Sequence, residues 1–187
     1  MRFCAIFLLL VMLPARVFCS AVETIEPEFS SVVPEDAALY QVAGGLQFTE
    51  GPVWVEGKDG QGQGYLLFSD IPADRIYRWD DPDKLSVWRT PSGKSNGLLL
   101  DSRGRVLACE HWNRRVSLYL APDSVVALCT SYSGGALNSP NDIAIGPEGA
   151  LWFTDPPYGL EGRKKEQAGN FVFRLSPGET EPEVMVS

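Results

Sequence analysis

The sequence predicts an all-β fold built from repeated four-strand units, the arrangement of a β-propeller. Three observations point there. Short apolar β runs recur at a near-constant period, glycine-bearing turns punctuate them, and no stretch of useful length carries the 3.6-residue period of an amphipathic helix.

The first element is an export signal. Met1-Arg2 is a minimal basic start, residues 3–14 are almost wholly apolar, and Cys19-Ser20-Ala21 offers small residues for cleavage after Ala21. A membrane anchor needs roughly 18 apolar residues, and Arg16 interrupts the run too early. A lipoprotein signal at Cys19 is disfavoured by the bulky Val17-Phe18 before it. Residues 1–21 therefore read as a cleaved signal peptide, which implies a secreted or periplasmic protein with no membrane attachment after cleavage. Residues 22–38, acidic and dotted with proline, read as an extended lead-in, and residues 39–187 as the repeat domain.

Three units follow. The first has strands near residues 51–55, 64–71, 75–80 and 85–89; the second near 96–101, 104–110, 115–120 and 125–129; the third near 141–145, 149–155, 171–175 and 183–186. Tyr65, Val106 and Leu151 each follow the glycine that opens a second strand, and they stand 41 and 45 residues apart. That period, with four strands per unit, is the pattern of propeller blades. Gly64, Gly104 and Gly149 are expected to take positive φ in hairpin turns. First strands such as Leu98-Leu99-Leu100 and Ile143-Ala144-Ile145 are apolar throughout, as strands packed between neighbouring blades should be. Their N-terminal ends would line the central channel.

Removing residues 1–21 takes away Arg2 and Arg16 and no acid, so the net charge moves from −8 to −10. Such a surface repels phosphate backbones, which excludes nucleic-acid binding, and it suits a divalent cation. Of the four cysteines, Cys4 and Cys19 lie in the signal; Cys109 and Cys129 sit in apolar β runs and read as buried free thiols more readily than as a disulfide.

Three segments precede first strands at equivalent places: Phe48-Thr49-Glu50-Gly51-Pro52, Ser95-Asn96-Gly97 and Asn138-Ser139-Pro140-Asn141-Asp142. Glu50, Asn96, Asn141 and Asp142 would thus converge on the axis. Carboxylate and amide oxygens on one rim are donors that Ca²⁺ or Mg²⁺ prefers. Asn and Asp also cap turns, a competing use that Glu50 before Gly-Pro does not share. His111, the only histidine, reads as a partly exposed strand-end residue, since no nucleophile elbow accompanies it; multi-histidine or multi-cysteine zinc sites are excluded by count. Trp54, Trp79, Trp88, Trp112 and Trp152 read as packing between blades, Lys164-Lys165-Glu166 as a solvated loop, and residues 57–64 as a flexible hairpin insertion.

Phe48 to Trp54, Leu67-Phe68-Ser69-Asp70-Ile71-Pro72 with Arg75 to Trp79, Cys109-Glu110-His111, Asn138 to Asp142 and Trp152 to Gly159 together resemble the gluconolactonase and regucalcin-like (senescence marker protein) family. The resemblance implies a six-bladed propeller with one axial divalent cation, usually Ca²⁺, and hydrolysis of a small-molecule sugar lactone. Carried over by motif, Glu50 and Asn141 are expected metal ligands, with Asn96 and Asp142 on the substrate side. The family's remaining ligands and its general base belong to blades four and five, which these 187 residues do not contain, so no catalytic residue is named. Three blades also leave open faces, where self-association is expected. A chain inactive alone, and a non-catalytic secreted propeller used as a binding scaffold, are the competing expectations.

Overall fold

A computed structural model of the chain describes residues 17–18, 27–34, 37–57, 63–82 and 84–187. The expected signal peptide lies almost wholly outside the described residues, as do residues 58–62 of the expected hairpin insertion. The chain forms two compact units, Met1–Gly44 and Gly45–Ser187. In the first, β1 (Val17–Phe18) pairs antiparallel with β2 (Leu39–Tyr40). A 3-10 turn spans Pro27–Ser31 within the expected extended lead-in, and the Ser31 hydroxyl closes it on the Glu28 carbonyl at 2.6 Å.

The second unit holds three antiparallel four-stranded sheets, each a meander in chain order. Blade one is β3 (Thr49–Val55), β4 (Tyr65–Asp70), β5 (Arg75–Asp80) and β6 (Lys84–Arg89). Blade two is β7 (Ser95–Leu100), β8 (Val106–Glu110), β9 (Arg115–Ala121) and β10 (Ser124–Cys129). After a two-rung hairpin of β11 (Ser131–Tyr132) and β12 (Gly135–Ala136), blade three runs β13 (Ile143–Ile145), β14 (Leu151–Asp155), β15 (Phe171–Leu175) and β16 (Glu183–Val186). The all-β class and the three repeats are as the sequence predicts.

Alternation along β8 builds both inter-blade cores. Val106 and Ala108 point into a cluster with Leu67 and Ile76 of blade one, while Leu107 and Cys109 point the other way, into a cluster with Ile143, Phe153 and Phe173 of blade three. Successive side chains on a strand face opposite sides, so a strand buried on both faces must be apolar at every position. Cys109 and Cys129 both lie in the second cluster as buried free thiols.

Gly104 and Gly149 take φ of 72° and 78°, as expected, but Gly64 does not adopt positive φ. Its need for glycine is close approach: a Cβ there would stand 2.5 Å from the Val55 carbonyl oxygen and 2.6 Å from the Trp54 ring. The β11–β12 hairpin was not anticipated. Its turn residues Ser133 and Gly134 both have positive φ, 51° and 78°, the requirement of a two-residue hairpin that follows strand twist. The tryptophans divide. Trp88 does pack between blades, edge-on to Tyr119 at 5.7 Å, but Trp54 and Trp112 are 45% and 49% exposed. Trp112 sits in the β8–β9 turn with the Arg163 guanidinium 4.3 Å from its ring centroid.

Candidate functional site

The inner strands meet edge to edge at their starts. Gly51, at φ 56°, backs onto Asn96: a Cβ there would overlap the Asn96 carbonyl oxygen and lie 2.8 Å from the Leu98 nitrogen. Gly97 repeats the arrangement against blade three, donating its N–H to the Asn141 carbonyl at 2.8 Å and leaving no room for a Cβ beside Asp142. Glu50-Gly51, Asn96-Gly97 and Asn141-Asp142 are therefore equivalent steps on adjoining strands, as the spacing predicts. Bulges between Glu50 and Val53 and between Ser95 and Leu98 re-aim the first two steps.

These starts are tied down by buried groups. Ser69 of β4 donates its hydroxyl to the Asn96 carbonyl at 2.8 Å and touches the Ser95 hydroxyl at 2.9 Å, joining blade one to blade two. Asp70, at the end of β4, accepts the backbone N–H groups of Gln47 and Phe48 at 3.0 and 3.1 Å. Asp155, at the end of β14, accepts the Asn138 N–H at 2.7 Å. The matching carboxylate of blade two, Glu110, accepts from Tyr119 at 2.9 Å, Arg115 at 2.8 Å and Asn113 at 2.5 Å. All three carboxylates are essentially inaccessible to solvent. Burial raises the Asp155 carboxyl to about 6, against the lowering effect of the Asn138 and Ser139 N–H groups. Its Oδ1 and that of Asn138 are buried without a hydrogen-bond partner among the described residues.

Turns of one blade also clamp the next. Asp74, in the left-handed conformation at φ 53°, accepts the Ser92 and Lys94 N–H groups at 3.0 and 2.6 Å, just ahead of β7. Forty residues on, Arg114 at φ 52° donates to the carbonyls of Leu137 and Ala136, just ahead of the Asn138–Asp142 segment. Glu166, read from sequence as part of a solvated loop, accepts from Arg114 at 2.8 Å and from the Ala136 N–H at 3.0 Å.

Matching to known families covers nearly all of this unit: the description SMP-30/Gluconolactonase/LRE-like region applies to residues 48–186. The chain belongs to this family. A gluconolactonase of Zymomonas mobilis is 34% identical over 171 residues, covering 81% of this chain and 46% of its own length. Among solved structures, a gluconolactonase from Xanthomonas campestris, described as important in glucose secondary metabolic pathways, aligns with a TM-score of 0.81 at 27% identity, over 94% of this chain and 61% of that one. A second structure, a provisionally assigned gluconolactonase solved as a Northeast Structural Genomics Consortium target, aligns with a TM-score of 0.73 at 36% identity, over 82% of this chain and 53% of that one. The chain spans about half the length of the relatives it matches.

Within this gluconolactonase-family unit, Asn96 is buried, Asn141 is half-buried, and Glu50 and Asp142 are exposed. Glu50 is exposed, its backbone paired with Ser69 of β4 and the glycine after it set against Asn96 of β7. Oxygen donors of these four side chains suit a hard cation in kind. The set holds two carboxylates, Glu50 and Asp142, and two amides, Asn96 and Asn141. One oxygen of Asp142 is also engaged, accepting the Ile143 N–H at 2.9 Å.

His111 departs from expectation. It is 5% exposed, because its ring lies against Gly159 of the β14–β15 loop so closely that a Cβ there would strike it. Burial lowers its pKa to about 4; Glu161 opposes this, while Arg163 and Lys94 reinforce it, so the ring is neutral at pH 7. The signal for the buried carboxylates was present in the sequence, since an acid closes the second strand of every blade: Asp70, Glu110 and Asp155.

Proposed function

We propose that this chain carries part of a lactone-hydrolysing site. Glu50 and Asn141 are oxygen ligands of a divalent cation, Ca²⁺ by preference, and Asn96 and Asp142 face a sugar-lactone substrate. One observation carries the reading: Glu50, Asn96 and Asn141 occupy equivalent steps on adjoining inner strands of a gluconolactonase-family chain. The cation, when bound, supplies Lewis-acid polarisation of the lactone carbonyl. The chain's own residues bind and orient, with carboxylate and amide oxygens accepting from substrate hydroxyls. Neither Asp155 nor His111 is assigned as general base, because both are buried in contacts that position other residues. The apolar residues 3–14 support export, and the exposed Trp54 and Val87 of blade one and Met185 and Val186 of blade three support self-association through the open faces.

A non-catalytic binding scaffold is the second reading, favoured by the exposure of the Glu50 carboxylate, which a scaffold has no need to hold in place. The two separate in an assay of acid release from D-glucono-1,5-lactone by the full chain, with Ca²⁺ or with chelator. Hydrolysis predicts a calcium-stimulated rate that Glu50→Gln abolishes. A rate no faster than buffer, indifferent to calcium and to the substitution, overturns catalysis by this chain and leaves the scaffold.

A further inference from the structure

Asn96 is the buried member of the axial set, and the two ends of its carboxamide have opposite chemistry. Its Nδ2 stands 3.3 Å from Nε2 of His111. With its NH₂ end turned to His111 the amide donates, and in that arrangement Nε2 presents a lone pair and the proton of the neutral ring sits on Nδ1. The backbone that carries the ring is held on both sides. The His111 N–H donates to the Lys94 carbonyl at 3.1 Å, and its carbonyl accepts from the Arg114 N–H at 3.3 Å and from Arg163 Nη2 at 3.2 Å.

Blade three supplies the wall behind the ring. Gly159, its N–H held by the Ser139 hydroxyl at 2.9 Å, presses on the imidazole with no side chain between. Arg163 fastens that wall to blade two, donating to the carbonyls of Gly159 and Leu160, both at 3.0 Å, and of Trp112 at 2.6 Å. The side-chain oxygen of Asn96, at the other end of the amide, makes no hydrogen bond among the described residues, where the side chain's one contact of this kind is to His111.

We infer that His111 is a positioning residue: by accepting the Asn96 amide N–H at Nε2, it leaves the Asn96 side-chain oxygen free to accept from a substrate hydroxyl. Blade two thereby contributes an acceptor that reads hydroxyl donors of a polyhydroxylated ligand. The reversed amide would place oxygen against Nε2, require an Nε2–H ring, and offer the site an NH₂ that cannot accept. Only the identity of the ligand rests on the function proposed above; the orientation of the pair does not.

Because His111 is the only histidine, the ¹⁵N-labelled full chain gives a single imidazole spin system in a long-range ¹H–¹⁵N spectrum. The expected result at pH 7 is a neutral ring protonated at Nδ1, which reverts in Asn96→Ala to the Nε2–H form that free histidine prefers. An Nε2–H ring in the unsubstituted chain, or a spectrum that Asn96→Ala leaves unchanged, overturns the inference without reference to any activity. In lactone hydrolysis, His111→Leu should raise KM about tenfold, the scale of one lost hydrogen bond, with kcat little changed. His111→Gln, whose amide oxygen can replace the Nε2 lone pair, should restore KM. Absence of hydrolysis in the unsubstituted chain sinks the proposed function while the tautomer still decides the role of His111.

Discussion

Two buried titratable groups at the inner end of the propeller pull stability in opposite directions with pH. His111 falls from 6.5 to about 4 on folding. Between those values the unfolded chain binds the extra proton, so stability rises with pH and is lost as pH falls from 6.5 to 4. At about 1.4 kcal/mol per pH step, this amounts to about 3 kcal/mol. Asp155 rises from 3.8 to about 6. Here the folded chain binds the extra proton, so the group destabilises progressively as pH climbs from 4 to 6, again by about 3 kcal/mol. The two slopes cancel across that window, and their sum is nearly flat.

Single substitutions should therefore unmask one slope each. In His111→Gln only the Asp155 slope remains, and stability relative to the parent falls by about 3 kcal/mol between pH 4 and 6.5. In Asp155→Asn only the His111 slope remains, and relative stability rises by a similar amount between pH 4 and 6. Asn can still accept the Asn138 N–H, so the fold should survive. Urea unfolding of the three proteins, followed by tryptophan fluorescence at pH 4, 5, 6 and 7, measures both differences. Carboxylates held below their ordinary values by arginine contacts, such as Asp80 beside Arg78, contribute equally to all three proteins and drop out. Parent-minus-variant differences that change by less than about 1 kcal/mol over pH 4 to 6.5 would refute the reasoning, because the two groups would then titrate as exposed ones do.

Other outcomes follow from the same contacts. Glu110→Leu leaves the Tyr119 hydroxyl and Arg115 without their shared acceptor in a buried site and should cost about 3–5 kcal/mol in the same urea assay. Phe173→Ala, in the cluster between blades two and three, removes a fully buried ring that packs on Phe153 at 5.3 Å, with an expected cost of about 3–5 kcal/mol. Cys109 and Cys129 should resist a thiol reagent in the native chain and react in urea, since burial pushes the Cys129 thiol up to about 12 and raises that of Cys109 well above its ordinary value. Rapid reaction of either in the folded chain would contradict the packing.

The blades were legible because their signal is local: a strand buried on both faces is apolar throughout, and the glycine before Val106 or Leu151 marks a turn. The axial steps were legible for a related reason, as Glu50, Asn96 and Asn141 recur at one place in a visible repeat. What escaped depends on contacts between units of the repeat. The burial of His111 is created by Gly159, 48 residues away, and nothing in Cys109-Glu110-His111 announces it. Gly64 looked like its counterparts Gly104 and Gly149, yet its role is set by the Trp54 ring on the neighbouring strand. Arg114 and Asp74 carry opposite charges and share no sequence pattern. They do one job because each takes positive φ in the same turn and aims at backbone groups, the arginine at carbonyls and the aspartate at N–H groups.

The axial residues are not held equally. Asn96 is secured from both sides: Ser69 of blade one grips its backbone carbonyl, and His111, backed by Gly159 of blade three, grips its side chain. Asn141 is tied through its backbone to Gly97 and Thr154, and its side chain borders an open pocket of about 280 Å³ lined also by Thr154, Tyr158 and Phe171. Glu50 has Asp70 holding the segment before it and Asn96 against the glycine after it, but its carboxylate stands in solvent. A flexible exposed carboxylate gives up more side-chain entropy on binding a cation than a pre-positioned amide does. Within these three blades the Asn96 side chain is therefore held in place, whereas the Glu50 carboxylate is not.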